Sequence, residues 1–309
     1  MTTLNSPSES WFSIIRATAF EHPRTSIALA AALVLTIILL LQGMLHSLAS
    51  STDGFSRYAL LGGTAGFLAT TLGAAPALFL RGIRQSTEDV MLGFAAGMML
   101  AASCFSLILP GLDSGEAITG SAVGGAALVV LGMAFGVALM LGIDNLTPHE
   151  HTNTGPCGPG HERCDRAWLF VLAIAIHNLP EGMAVGVSFA QGDMSVGLPL
   201  ATAIALQDIP EGLAVALTLR AVGMSPMLAV VVAGASGLLE PVGALLGAGL
   251  AGGWLFAYPI GLGLAAGAML FVVSHEVIPE THRNGHQTLA TLGLMAGFCL
   301  MMVLDTTLG

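Results

Sequence analysis

Lysine is missing from this 309-residue chain, and its nine basic residues are all arginine. Charged residues make up 9% of it, whereas a soluble domain carries about 25%, so there is too little polar surface to face water. So few cations also exclude a nucleic-acid surface. The four cysteines are too few and too scattered for a disulfide scaffold. Cys104 and Cys299 lie in apolar stretches and read as packing residues, while Cys157 and Cys164 fall in a polar loop. What the chain has in quantity is apolar residues, 54% with a mean hydropathy of +0.82, and glycine, 40 residues. Glycine at that level suits membrane helices that pack through small residues.

Apolar stretches of about 20 residues are long enough to cross a bilayer as helices. Nine are expected: Ile27–Leu48, Tyr58–Leu80, Val90–Leu112, Ala122–Leu146, Trp168–Ala190, Leu198–Arg220, Met227–Leu250, Phe256–Ile278 and Thr288–Leu308. With the N-terminus in the cytoplasm, Arg16, Arg24, Arg81, Arg84, Arg163, Arg166, Arg220 and Arg283 all fall on the cytoplasmic side. Arg57 alone falls outside, a strong positive-inside bias. Ser47-Leu48-Ala49 could serve as a signal-peptide cleavage site, but the apolar core before it is longer than such segments have, which favours a retained helix. The expectation is an all-α polytopic protein of the bacterial inner (plasma) membrane, with a cytoplasmic N-terminus and a periplasmic C-terminus.

Two internal repeats organise the spans. Ile174-Ala-Ile-His-Asn-Leu-Pro-Glu-Gly-Met-Ala-Val185 aligns without gaps to Ile204-Ala-Leu-Gln-Asp-Ile-Pro-Glu-Gly-Leu-Ala-Val215 on the next helix. Consecutive spans run antiparallel, so the two motifs can meet across a pseudo-two-fold axis. Leu92-Gly-Phe-Ala-Ala-Gly-Met-Met-Leu100 likewise matches Leu262-Gly-Leu-Ala-Ala-Gly-Ala-Met-Leu270. An odd number of spans separates these two, which predicts an inverted-topology repeat of the kind secondary transporters use.

The ionisable residues at membrane depth are His177, Glu181, Asp208, Glu211, Glu240, His275 and Glu276, with Asp113, Asp144 and Asp305 at or near helix ends. A charge at a helix centre costs about 2.5–3.5 kcal/mol even on the lenient insertion scale. No arginine accompanies these groups, which leaves protonation or a bound cation to neutralise them. His177, Asn178 and Glu181 share one helix face, as do Gln207, Asp208 and Glu211 on the next. Pro180 and Pro210 each release a backbone carbonyl, tolerable in a membrane only where it lines a polar cavity. Met99 adds a soft thioether, and Glu240 a carboxylate beside Pro241. Imidazole with carboxylates and amide oxygens suits Zn²⁺, Fe²⁺, Mn²⁺ or Cd²⁺. Glu181, Asp208 and Glu211 are placed to bridge two ions.

These residues resemble the ZIP (Zrt/Irt-like protein) family, most closely its bacterial branch of the Bordetella type. The resemblance is carried by His177-Asn-Leu-Pro-Glu-Gly182, Gln207-Asp-Ile-Pro-Glu-Gly212 and Ser274-His-Glu-Val-Ile-Pro-Glu280, and covers roughly Tyr58 to the C-terminus. It implies an eight-helix core with a 3+2+3 inverted repeat behind one extra N-terminal helix, and metal movement into the cytoplasm. In this chain's numbers, residues 1–26 would be a cytoplasmic segment, 27–48 the extra helix and 58–309 the transporter domain. Within that domain 58–146 and 227–309 would be the repeats, 147–167 a cytoplasmic loop and 168–220 the metal-binding pair. By resemblance, Met99, His177, Glu181, Gln207, Asp208 and Glu211 would hold one ion, and Asn178, Glu181, Asp208, Glu211 and Glu240 the other. Asp113 and Asp305 would stand at the entrance with Ser106 along the pathway, and Asp144, His275 and Glu276 on the release side. Many members have His where this chain has Gln207, which leaves its site richer in oxygen and less committed to zinc alone. The family also suggests elevator-like motion.

His149, His151 and His161, with Cys157 and Cys164, sit in the cytoplasmic loop, and His282 and His286 lie in a later one. They read either as a weak metal relay or as solvated loop residues, and their spacing fits no closed zinc fold. An intramembrane metalloprotease would need His-Glu-x-x-His; His275-Glu276 is followed by Val277, Ile278 and Pro279, without the second histidine. No nucleotide-binding loop is present, so a pump is disfavoured and no enzyme is expected. A passive metal channel would use the same ligands. The partners called for are divalent metal ions, as the transported substrate, and the lipid bilayer. A homodimer is left open, and no organic cofactor is expected.

Overall fold

The computed structural model describes residues 54–146, 149–151, 155–157, 166–192, 194–221, 223–251 and 254–308. The expected helix Ile27–Leu48, His161 and Cys164 lie outside them. The rest is a bundle of long helices: α1 (Gly54–Ala74), α2 (Gln85–Thr119), α3 (Ala122–Leu146), α4 (Arg166–Phe189) and α5 (Met194–Ala221), followed by α6 (Pro226–Ser236), α7 (Leu239–Ala251), α8 (Ala257–His282) and α9 (Gln287–Leu308). Among the described residues the only strands are β1 (His149–His151) and β2 (Gly155–Cys157), an antiparallel pair that sets His149 opposite Cys157. Among the described residues seven stretches are long and apolar enough to cross a membrane, with α6 and α7 counted as one. The 24 residues of α4 span about 36 Å at 1.5 Å per residue, also sufficient for a crossing. The protein is an all-α, multi-pass membrane protein.

Two expected spans differ in detail. Val90–Leu112 is the middle of a 35-residue helix that ends at Thr119, where Gly120 takes a left-handed conformation (φ 69°) and closes it. Asp113 is therefore an exposed residue inside α2 and not at a helix end. Its helix widens into a π-helical stretch over Ser103–Ile108, as α8 does over Val273–Val277. Such insertions recur at functional sites. Met227–Leu250 is two helices, interrupted at Gly237 and Leu238 just before Glu240.

The four closest helix pairings are α1 with α5, α4 with α7, α2 with α9 and α3 with α8. Glycine sets each of them, because a Cβ at the contact would overlap a neighbouring carbonyl. Gly93 and Gly97 meet the carbonyls of Ala290 and Leu294, while Gly293 and Gly297 meet those of Val90 and Phe94. The α3–α8 pair repeats this with Gly132 and Gly136 on Ile260 and Leu264, and Gly263 and Gly267 on Val129 and Met133. Such close backbone approach supplies the dispersion that holds membrane helices together where no hydrophobic effect acts between them. The two pairs match in register, so the spacing that sets Leu92 on Leu262 also sets Gly93 on Gly263 and Gly97 on Gly267.

Candidate metal centre

Helices α4 and α5 run through Pro180 and Pro210 without ending. Each proline lacks the N–H that would bond the carbonyl four residues back, so the helices carry polar backbone beside Glu181 and Glu211. The motif geometry follows from the 3.6-residue turn. Asn178 and Glu181 share a face of α4, Gln207 and Asp208 point from α5 into the same interior, and all four are buried. Ligand oxygens of Glu181, Asp208 and Glu211 lie within 4.8 Å of one another.

The surroundings of these oxygens are short of donors. Gln207 Nε2 donates to Glu181 Oε1 at 2.6 Å and Thr70 Oγ1 to Glu240 Oε1 at 3.1 Å. That leaves Glu181 Oε2, Gln207 Oε1, Asp208 Oδ2 and Glu240 Oε2 buried with no hydrogen-bond partner. An unmet buried polar atom costs about 1–3 kcal/mol, and more when it carries charge. Four of them in one place form a set of acceptors suited to a cation.

Glu240 sits in the first turn of α7, directly after the helix break, with its side chain buried. Its Oε2 occupies the place a side chain on Gly66 would fill, and a Cβ there would also stand 2.9 Å from Asp208 Oδ2. Helix α1, which the motifs did not implicate, thus forms a wall of the centre through Gly66 and Thr70. Asn178 Nδ2 faces Ser236 Oγ at 3.5 Å.

Residues 145–305 match the family model described as ZIP Zinc transporter, a segment that takes in both Pro-Glu helices and Glu240. The chain is 62% identical to the zinc transporter ZIPB of Bordetella bronchiseptica, over 95% of each chain. The chain belongs to the ZIP family. Two further relatives are the zinc transporter GufA of Myxococcus xanthus, 42% identical over 81% of this chain and 97% of that one, and human zinc transporter ZIP11, 31% identical over 78% and 94%.

Several residues singled out from the sequence make contacts outside the carboxylate group of this ZIP chain. His177 Nε2 pairs with Glu276 Oε2 at 3.1 Å, so the imidazole links the centre to a residue expected on the release side. Met99 is buried in an apolar cluster with Ala102, Leu200 and Ile204. Ser106 Oγ donates to Asp305 Oδ1 at 2.7 Å, joining α2 to the end of α9. Asp144 is buried, and exposed His275 stacks on Phe271 with ring centroids 4.9 Å apart.

His149 and His151 lie on β1, while His286 belongs to another cluster. Its Nδ1 stands 2.8 Å from Oδ2 of buried Asp89, whose Oδ1 accepts from Asn284 at 2.9 Å. Cys299, expected to pack inside, is exposed on α9, and Cys104 is partly buried in the π-helical stretch of α2. Thr70, Gly66, Ser236 and Asp89 were missed. Extending the Leu92–Leu262 register back into α1 would have found Thr70, since it falls on Glu240.

Proposed function

We propose that this protein carries divalent transition-metal ions, zinc foremost and also Cd²⁺, Fe²⁺ or Mn²⁺, across a bacterial inner membrane into the cytoplasm. Its two Pro-Glu helices supply a binuclear centre. One ion takes Met99, His177, Glu181, Gln207, Asp208 and Glu211, and the other Asn178, Glu181, Asp208, Glu211 and Glu240. The observation that carries this reading is the convergence of buried, donor-less oxygens from Glu181, Gln207, Asp208 and Glu240, joined by Glu211. That the named relatives are zinc transporters supports zinc as the principal substrate. Asp113, Ser106 and Asp305 would line the approach, and Asp144, His275 and Glu276 the release side.

Carriage follows from what these residues do. The carboxylates replace the hydration shell of an incoming ion at membrane depth, where neither ion nor carboxylate is otherwise stable. Their charge is matched only while the ion is present. His177, held by Glu276, offers the departing ion an imidazole already paired with a carboxylate. The 3+2+3 inverted repeat is part of the proposal, supported by the four helix pairings, which exchange with one another when α1 is set on α6 and α7, α2 on α8, α3 on α9 and α4 on α5. None of the four pairings joins α1, α4, α5 or α7 to a long helix outside that set, which supports elevator-type movement of the one set against the other.

Uptake of Zn²⁺ into proteoliposomes tests the reading. Glu211→Ala and Glu181→Ala should each cut the rate by about 100-fold, on the order of 3 kcal/mol, whereas Gln191→Ala on an exposed turn should leave it near the parent. Equal effects of all three, or no flux of any of the four ions in folded protein, would refute it.

A further inference from the structure

We propose that Thr70 is a positioning residue of the metal centre, the counterpart of Glu240 in the other half of the molecule, and that its hydroxyl sets the affinity of the ion Glu240 holds. The proposal deepens the metal-centre reading and rests on it.

The correspondence is written in the packing. A Cβ on Gly212 would overlap the carbonyl of Thr70, and a Cβ on Gly182 would overlap that of Glu240. Gly73 meets the carbonyl of Ile209 as Gly243 meets that of Leu179. Gly182 and Leu179 are the positions that the Pro-Glu repeat aligns with Gly212 and Ile209. Thr70 and Gly73 stand to Glu240 and Gly243 at the same spacing as Leu92 to Leu262. One register, fixed independently by the Ala-Ala-Gly repeat and by backbone contacts, therefore pairs Thr70 with Glu240. It also pairs Gly66 with Ser236, where Gly66 lies against Asp208 and Ser236 faces Asn178.

The two counterparts touch. Thr70 Oγ1 donates to Glu240 Oε1 at 3.1 Å, and both side chains are buried. A second carboxylate at Thr70 would press against Glu240 in the same space. A short hydroxyl instead fixes the single carboxylate that is present. Thr70 Oγ1 also lies 3.2 Å from the carbonyl of Gly66, the partner a helical threonine finds one turn back. When an ion withdraws charge from Glu240, the hydroxyl can turn to that carbonyl without losing a bond. While the hydroxyl donates to Glu240 it holds Oε1, and Oε2 stays directed over Gly66 toward Asp208.

Equilibrium dialysis of Zn²⁺ against the purified full chain, with zinc uptake in proteoliposomes, decides the matter. Thr70→Val keeps the shape and removes the hydroxyl. It should weaken one of two bound zinc ions by about 10-fold or more and raise KM, with the other ion held within about threefold. Thr70→Ser should recover most of the lost affinity. In a Glu240→Gln background Thr70→Val should change nothing further, a result that general loss of packing would not give. Parental affinity for both ions in Thr70→Val, an equal loss in the Glu240→Gln background, or a Thr70→Ser as defective as the valine would each overturn the proposal. If Thr70→Val fails to fold, the serine variant alone and in the Glu240→Gln background decides by the same criteria. A parent protein that binds no zinc would instead overturn the metal-centre reading itself.

Discussion

The surroundings of Ser106 and of Glu276 are one piece of scaffold with two chemistries. Each residue sits in a π-helical stretch following an Ala-Ala-Gly element, and the register that sets Leu92 on Leu262 sets Ser106 on Glu276. The glycine contacts of α3 and α9 add a second correspondence. Gly132 and Gly136 match Gly293 and Gly297, which carries Asp144 onto Asp305. At one end a hydroxyl holds a carboxylate, Ser106 to Asp305 at 2.7 Å. At the other end a carboxylate holds an imidazole, Glu276 of α8 to His177 of α4 at 3.1 Å, with His275 also on α8 and Asp144 on its partner α3. The local backbone corresponds and the polar side chains do not. On the proposed transport reading, a bundle so arranged would treat its two openings differently, with one carboxylate for a hydrated ion arriving and several stronger ligands for an ion leaving the centre.

The largest effect should come from making the second region resemble the first. Glu276→Ser removes the carboxylate that faces His177, with only 12% and 13% of the two side chains exposed. Taking one partner from a sheltered imidazole–carboxylate contact costs about 2 kcal/mol, roughly 30-fold. Zinc uptake by this variant should fall by about that factor, while zinc bound by the detergent-solubilised protein stays at the parental number of ions. If uptake is unchanged, the imidazole–carboxylate pair plays no part in release.

The converse change should have an intermediate effect. Ser106→Glu places a second carboxylate beside Asp305, and two close carboxylates need a proton or a cation between them. Zinc should be captured more tightly at that end and passed on more slowly, with KM falling and maximal rate reduced by about tenfold. A variant with parental KM and rate would mean that Ser106 does not face the path taken by the ion.

Much of this was legible in the sequence, for reasons that separate cleanly. The spans were readable because a run of some 20 apolar residues has few fates other than crossing a bilayer. The Pro-Glu motifs were readable because ligands spaced three and four apart must share a helix face. Which side of a membrane helix faces inward was not readable. Both sides are apolar, so Cys299 looked like a core residue and is exposed. The length of α2 was underestimated because Asp113, Ser114 and Glu116 dilute its apolar character beyond Leu112. Pairings across the bundle were the least accessible: Thr70 with Glu240, His177 with Glu276 and Asp89 with His286 each join helices or loops far apart in the chain. Periodicity reports on one helix at a time, and such pairs exist only once helices pack. The exception is the repeat register, which connects distant helices and would have indicated Thr70.

The smallest effect is the most discriminating. Ser106→Ala deletes the hydroxyl that holds Asp305 and leaves the carboxylate in place. A hydrogen bond to a charged group is worth about 1.5–3 kcal/mol where it is sheltered. Asp305, however, is only partly buried, and water can take over much of that bond. The loss should therefore be about threefold in zinc uptake at low zinc, appearing in KM and vanishing at saturation. Removing the carboxylate as well, with Asp305→Asn, should erase the difference between serine and alanine, because the hydroxyl would have nothing left to orient. A loss in Ser106→Ala as deep as that in Glu276→Ser would mean that the two ends are equally demanding. The asymmetry of their ligands would then have no consequence for transport.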